Sequence, residues 1–219
     1  MRQDLLKTTE IITINDLVLR IRMPKTTGPN PVILMLHGRT GDQDSMWVFS
    51  DRLPEEGILI APRGFYQTEF GGYTWHETIN YEWPNVENFQ PAAEELFLFF
   101  NKISGLGGDM SNISVLGFSQ GAALGYILGL MRPETIKSIA CLSGFLPGNF
   151  ESYIFNEPFA GKRIFITHGT RDKFVPVEKA RESVSLLQKA GATVTYCEDD
   201  VGHKLSAHCF RSLSYFYQT

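Results

Sequence analysis

Apolar and polar positions alternate through residues 8–23, which carry Ile11, Ile12, Ile14, Val18, Leu19 and Ile21. A period of two marks a half-buried strand. The turn pair Asn15-Asp16 in the middle makes the segment a predicted β-hairpin. Residues 24–31 are a Pro/Gly/Thr/Asn loop. The pattern then changes. Residues 32–36 (VILML), 58–61 and 113–116 are unbroken apolar runs, as expected of strands covered on both faces of a parallel sheet. Residues 136–142, 164–167 and 193–197 are further strand candidates. Helices are predicted over 89–103, 122–131, 177–189 and 205–217, with Pro91 in the first turn of the first, where its missing N–H is harmless. Strands alternating with helices along the chain predict an α/β fold. Its mostly parallel sheet is flanked by helices, with an N-terminal antiparallel hairpin at one edge. No repeat or linker divides the 219 residues, so a single domain over 1–219 is expected.

Composition narrows the class. Hydrophobic residues are 43% and charged residues 20% of the chain, which excludes a disordered protein. The net charge of −4 gives no support for nucleic-acid binding. Residues 1–7 lack the apolar run of a signal peptide, and no stretch approaches the roughly 20 apolar residues of a membrane span. A cytoplasmic protein without stable membrane anchoring is expected. Cys141, Cys197 and Cys209 are odd in number and lack C-x-x-C spacing. They are expected to be small buried hydrophobes, neither disulfide-bonded nor metal-binding.

Residues 117–121, Gly-Phe-Ser-Gln-Gly, fit G-x-S-x-G. With 20 glycines in the chain, the five residues say less than their setting, between the strand 113–116 and the helix beginning at 122. A serine on such a turn projects its hydroxyl above the sheet edge, where the helix N-terminus faces a developing oxyanion. Ser119 is therefore the candidate nucleophile.

A serine hydroxyl needs a base and a group to orient that base. In this architecture the order is Ser, acid, His. His168, His203 and His208 lie downstream. His168 precedes the best acid, and His208 falls inside the last predicted helix. His203 lies in a loop after a strand, where chemistry gathers in α/β sheets. Asp172 lies in the loop after the strand 164–167. Asp199 and Asp200 are too near His203 in sequence, and Glu178 suits the first turn of a helix. The reading is Ser119, Asp172 and His203. The oxyanion donors are expected to be the backbone N–H groups of Gln120 and Arg39, with Thr40 second for the latter.

These motifs resemble the phospholipase/carboxylesterase group of α/β-hydrolases, which includes acyl-protein thioesterases and small bacterial esterases. The matching pieces are Leu36-His37-Gly38, Gly41-Asp42, Gly117 to Ala122, His168-Gly169-Thr170-Arg171-Asp172, Val175-Pro176 and Gly202-His203. The resemblance implies an α/β-hydrolase fold and the same triad. Arg39-Thr40 departs from the family, which often has a glycine or another short residue there, and residues 63–83 match loosely.

The expected activity is hydrolysis of carboxylic esters through an acyl-enzyme, without metal or organic cofactor. A thioesterase, a lysophospholipase and a non-catalytic binding protein are the alternatives. The expected partner is a small-molecule ester or thioester. Residues 65–83 hold Phe65, Tyr66, Phe70, Tyr73, Trp75, Tyr81 and Trp83. They read either as a surface loop pinned by its aromatics or as the substrate pocket, with Trp75, Tyr73 and Phe70 as its walls.

Overall fold

Asn15 and Asp16 adopt φ of 47° and 66°, the paired left-handed conformation that a two-residue hairpin turn requires. They join β1 (Thr9–Ile14) to β2 (Leu17–Arg22), which pair antiparallel. The computed structural model describes residues 9–26, 28–77 and 83–217. The chain continues through β3 (Asn30–Leu36), β4 (Ile58–Pro62), a small hairpin of β5 (Tyr66–Gln67) and β6 (Tyr73–Thr74), and α1 (Val86–Gly105). Then come β7 (Gly108–Phe118), α2 (Gln120–Met131), β8 (Ile136–Leu142), β9 (Arg163–Gly169), α3 (Val177–Lys189), β10 (Thr193–Asp199) and α4 (Ala207–Phe216).

The large sheet has the order β1-β2-β4-β3-β7-β8-β9-β10. From β4 to β10 the neighbours are parallel, while β2 joins β4 antiparallel. The sequence expectation of a parallel sheet with an antiparallel hairpin at its edge holds. β3 has β4 on one side and β7 on the other, so the chain leaves β3 in one direction and later returns on its opposite flank. Such a reversal opens a crevice at the carboxyl ends of the strands.

β3 shows how the sheet is covered. Val32, Leu34 and Leu36 enter the apolar layer under α1, α2 and α3, while Ile33 and Met35 join Leu213 and Phe216 of α4 on the other face. A 3-10 turn over Trp47–Arg52, absent from the sequence reading, helps α4 cover that second face.

Two local expectations are corrected. α1 starts at Val86 and not Phe89, because the Asn85 N–H donates to the Asn88 side chain at 2.8 Å and fixes an earlier start. Pro91 consequently falls in the second turn. Cys197 and Cys209 form a disulfide, with Cα atoms 5.8 Å apart; only Cys141 is free and buried. The spacing hid the bond, since the partners sit on β10 and α4 and only packing of that helix on that strand brings them together. The cytoplasmic expectation thereby loses the support it drew from the cysteines. No helix among the described residues is long and apolar enough to cross a membrane. Residues 1–7 and Tyr81 lie outside the described residues.

Candidate active site

Ser119 stands between the last residue of β7 and the first of α2, with φ 53° and ψ −114°. This is a costly backbone for a residue with a Cβ. Neighbouring geometry enforces it. The Ser119 N–H donates to Leu142 O at 2.8 Å, and its carbonyl already accepts from Ala122 N at 3.1 Å to begin the helix. The flanking glycines leave room for the turn. A Cβ on Gly117 would stand 2.5 Å from Gly121 O, and one on Gly121 would stand 2.5 Å from His37 O. The first turn of α2 is thus pressed against the end of β3.

Asp172 follows β9. Its side chain is fully buried. Oδ1 accepts from the Phe174 and Val175 backbone N–H groups at 2.9 and 3.0 Å. Oδ2 lies 2.6 Å from His203 Nδ1. Burial pushes the carboxyl upward, but the hydrogen bonds from Val175, His203 and Phe174 outweigh it and hold the group below its ordinary value. A buried carboxylate so satisfied stays ionised and fixes the imidazole orientation.

His203 sits between two aromatic rings, Phe118 at 4.9 Å and Phe174 at 5.4 Å between centroids. Phe118 immediately precedes Ser119, so the imidazole lies beside the turn that carries the serine. His208 stands elsewhere, in the first turn of α4, with Nδ1 3.6 Å from Cys197 Sγ. His168 is buried and faces Val175 O at 2.8 Å through Nε2. It thereby supports the loop that carries Asp172.

The loop after β3 contributes backbone groups. Thr40, at φ 67°, donates its N–H to Tyr73 O at 2.9 Å. That bond removes Thr40 from contention as an oxyanion donor and leaves Arg39 as the candidate in this loop. Gln120 is the first residue of α2, where a backbone N–H has no partner within the helix. Its buried side chain is fixed through Oε1, which accepts from Thr74 Oγ1 at 2.9 Å and Trp75 N at 3.1 Å.

His37 is a residue whose role the sequence reading missed. Its ring is buried, with Nδ1 2.7 Å from Gly38 O and Nε2 accepting the Gly64 N–H at 2.8 Å. One nitrogen must donate and the other accept, so the ring is neutral with its proton on Nδ1. Burial lowers its pKa against the pull of Gly38 O and Asp42. The signal was available as a histidine directly after a buried strand, but a lone histidine does not announce its partners.

The three aromatic candidates for the pocket wall take different positions. Trp75 is fully buried, donates Nε1–H to His37 O at 2.7 Å, and lies 4.6 Å from the His37 ring. Tyr73 braces the Arg39 loop through backbone bonds at Thr40 and Gly41, and its ring lies under Arg63. Phe70 is largely exposed. A cavity borders Phe118, the residue before Ser119, and the loop at Gly38 and Arg39. It is an open groove of about 720 Å³ lined by Gly38, Arg39, Met46, Val48, Phe49, Phe118, Leu205 and Phe210, among others. Its floor thus comes from the 3-10 turn and from α4 with the loop before it. Neither carried a motif.

Residues 20–219 match the family model described as Phospholipase/Carboxylesterase. Among curated proteins, the chain is 27% identical over 122 residues to a probable inactive carboxylesterase of Oryza sativa subsp. japonica, covering 54% of this chain and 49% of that protein. It is 26% identical over 200 residues to acyl-protein thioesterase 1 of Debaryomyces hansenii, covering 81% of this chain and 85% of that protein. The chain spans about half the length of the curated plant carboxylesterases it matches. A solved structure of a carboxylesterase from Mesorhizobium loti superposes with a TM-score of 0.81 at 21% identity, covering 96% of this chain and 98% of that one. That likeness shows the α/β-hydrolase fold.

Proposed function

Because this chain belongs to the phospholipase/carboxylesterase family, we propose that it is a serine hydrolase of carboxylic esters acting through Ser119, His203 and Asp172. The observation that carries the reading is the 2.6 Å contact of Asp172 with His203 Nδ1. It leaves the far side of an imidazole that lies beside the strained serine turn to face the substrate.

In this mechanism His203 takes the Ser119 proton as the hydroxyl attacks the ester carbonyl. Asp172 stabilises the imidazolium without itself taking the proton. The backbone N–H groups of Arg39 and Gln120 hold the oxyanion. His203 returns the proton to the leaving alcohol. A water activated by the same imidazole then attacks the acyl-enzyme and releases the acid. The acyl or alcohol portion of a small-molecule substrate lies in the groove between Val48, Phe49, Phe118 and Phe210. The reaction draws on no metal or organic cofactor.

Thioester hydrolysis is the second reading. It is favoured by the match across most of an acyl-protein thioesterase, and the same acyl-enzyme chemistry serves it with a thiol leaving group.

A fluorophosphonate probe tests the proposal, since it labels only an activated serine. Labelling of the wild type that disappears in Ser119→Ala is the expected result. Absence of labelling in a folded wild type, the behaviour of a non-catalytic binding protein on this fold, overturns it. Paired oxygen and thioester substrates of equal acyl length then decide the leaving group.

A further inference from the structure

The disulfide closes a segment on which much of the site depends. Cys197 lies in β10, Cys209 lies in the first turn of α4, and His203 lies between them. A third group stands at the same place. His208 is exposed, and its Nδ1 is 3.6 Å from Cys197 Sγ. The two sulfur atoms and an imidazole nitrogen all lie within 4.8 Å of one another.

Their spacing has a chemical meaning. For a tetrahedral zinc ion with Zn–S about 2.3 Å and Zn–N about 2.0–2.1 Å, the sulfur-to-nitrogen edge is about 3.6 Å and the sulfur-to-sulfur edge about 3.8 Å. The observed separation of Cys197 Sγ from His208 Nδ1 already equals the first edge. The sulfur pair has to open and Cys209 Sγ, within 4.8 Å of the imidazole nitrogen, has to settle at the same edge length; reduction of the bond frees the side chain for both. Cα atoms 5.8 Å apart accommodate two thiolates on one ion by rotation of the side chains. Ligands from β10 and α4 span the same junction as the disulfide.

We propose that Cys197, Cys209 and His208 form a redox-gated site for one soft divalent cation of the zinc class. The site is closed while the disulfide stands and is formed when a thiol reductant opens it. Two reductant thiols supply two electrons and two protons, their sulfurs join in a new disulfide, and Cys197 and Cys209 become thiols. Binding of the cation then releases the two thiol protons, while neutral His208 donates through Nδ1 and water fills the fourth position. The cation takes no part in the ester chemistry. It replaces a covalent clamp between β10 and α4 with a coordinate one, so the loop bearing His203 stays closed at its base in both oxidation states. Sequence spacing gave no sign of this, because the ligands become neighbours only when α4 packs on β10.

The test uses the full chain and Co(II) as a spectroscopic probe. Reduced wild type is expected to bind one equivalent, with a thiolate-to-cobalt charge-transfer band and the intense visible bands of a tetrahedral site. Zn(II) should displace the cobalt and raise the melting temperature of the reduced protein. The oxidised protein should do neither. His208→Ala should weaken cobalt binding by more than about tenfold, and the double variant Cys197→Ser/Cys209→Ser should abolish the charge-transfer band. Circular dichroism confirms that each variant is folded. Reduced wild type without the charge-transfer band overturns the site, as does a band that survives in the double serine variant. Unchanged affinity in His208→Ala overturns the three-ligand assignment.

Discussion

The side chain of Gln120 is tied to the backbone of Trp75, whose N–H donates to Gln120 Oε1 at 3.1 Å. The Trp75 indole meanwhile donates to His37 O at 2.7 Å. One buried residue therefore orients both the first residue of α2 and the start of the loop after β3, the two places that supply the proposed oxyanion donors. Trp75→Ala should leave a large void and cost about 3–5 kcal/mol of stability. Turnover of the protein that remains folded should fall for all acyl lengths alike. Thermal melts combined with a chain-length series of chromogenic esters check this. A changed length profile at unchanged melting temperature would return Trp75 to the pocket wall.

Ser119 holds a φ of 53° despite its side chain, and such conformations cost about 1–3 kcal/mol. Ser119→Ala should lower kcat by several orders of magnitude while preserving the fold. Ser119→Gly should be equally inactive yet more stable than Ser119→Ala by about 1 kcal/mol, since glycine relieves the strain. Urea denaturation of the two variants supplies the comparison. Equal stabilities would mean that the turn is not strained.

The two histidines near the C-terminus should separate cleanly. His203 contacts the buried Asp172 carboxylate, whereas His208 faces a disulfide sulfur. His203→Ala should reduce kcat/KM by several orders of magnitude, and His208→Ala in the oxidised protein should change it less than about threefold. Asp172→Asn should resemble the first variant, because the amide cannot stabilise the imidazolium. Loss of activity in His208→Ala alone would reassign the base.

Local chemistry accounts for what could be read from the chain. The Asn15-Asp16 turn, the all-apolar strands and the helix over 177–189 follow from residue types whose preferences agree with their tertiary setting. The proposed triad of Ser119, Asp172 and His203 rests on a signal in the chain itself: each residue follows a strand, and strand ends share one edge of a parallel sheet. Features created by packing were not legible. The Cys197–Cys209 bond depends on where α4 lies, and the groove depends on a 3-10 turn without periodicity. The aromatics of 65–83 leave a pinned surface loop and a pocket wall both open, because large rings suit both pockets and cores. Nothing in the composition of that segment says that Trp75 faces inward.

Stability should fall on mild acidification. The pKa values of His37 and His168 lie below the ordinary histidine value of 6.5, in each case first because burial disfavours the cation. In the unfolded chain both take up protons as the pH drops below about 6.5, so there the unfolded state binds more protons than the folded one. Their contribution is complete above that pH and is lost as the pH falls through the depressed folded values. For His37 the structural reason is direct: a protonated Nε2 would confront the Gly64 N–H that it now accepts. Asp172, also depressed, acts with the same sign lower down, its contribution being lost as the pH falls below about 3.9. The melting temperature should therefore decline from pH 8 to pH 5, and His37→Asn should show a shallower decline. A melting temperature that rises over this interval would contradict the assignment of His37 as a buried neutral ring.

The groove should set acyl preference. Its apolar lining includes Met46, Val48, Phe49, Phe118, Leu205 and Phe210, and it is open to solvent beside the serine turn. Each methylene buried there is worth about 0.8 kcal/mol, so kcat/KM should rise about three- to fourfold per carbon until the chain outgrows the lining. Met46 is itself buried against the second core face, which makes it a poor site for enlargement. Val48 is largely exposed at the rim, so Val48→Trp can narrow the groove without disturbing the core. That variant should lose activity on the longest esters while keeping activity on acetate and its wild-type melting temperature. An identical loss at every chain length would place the acyl group outside this groove.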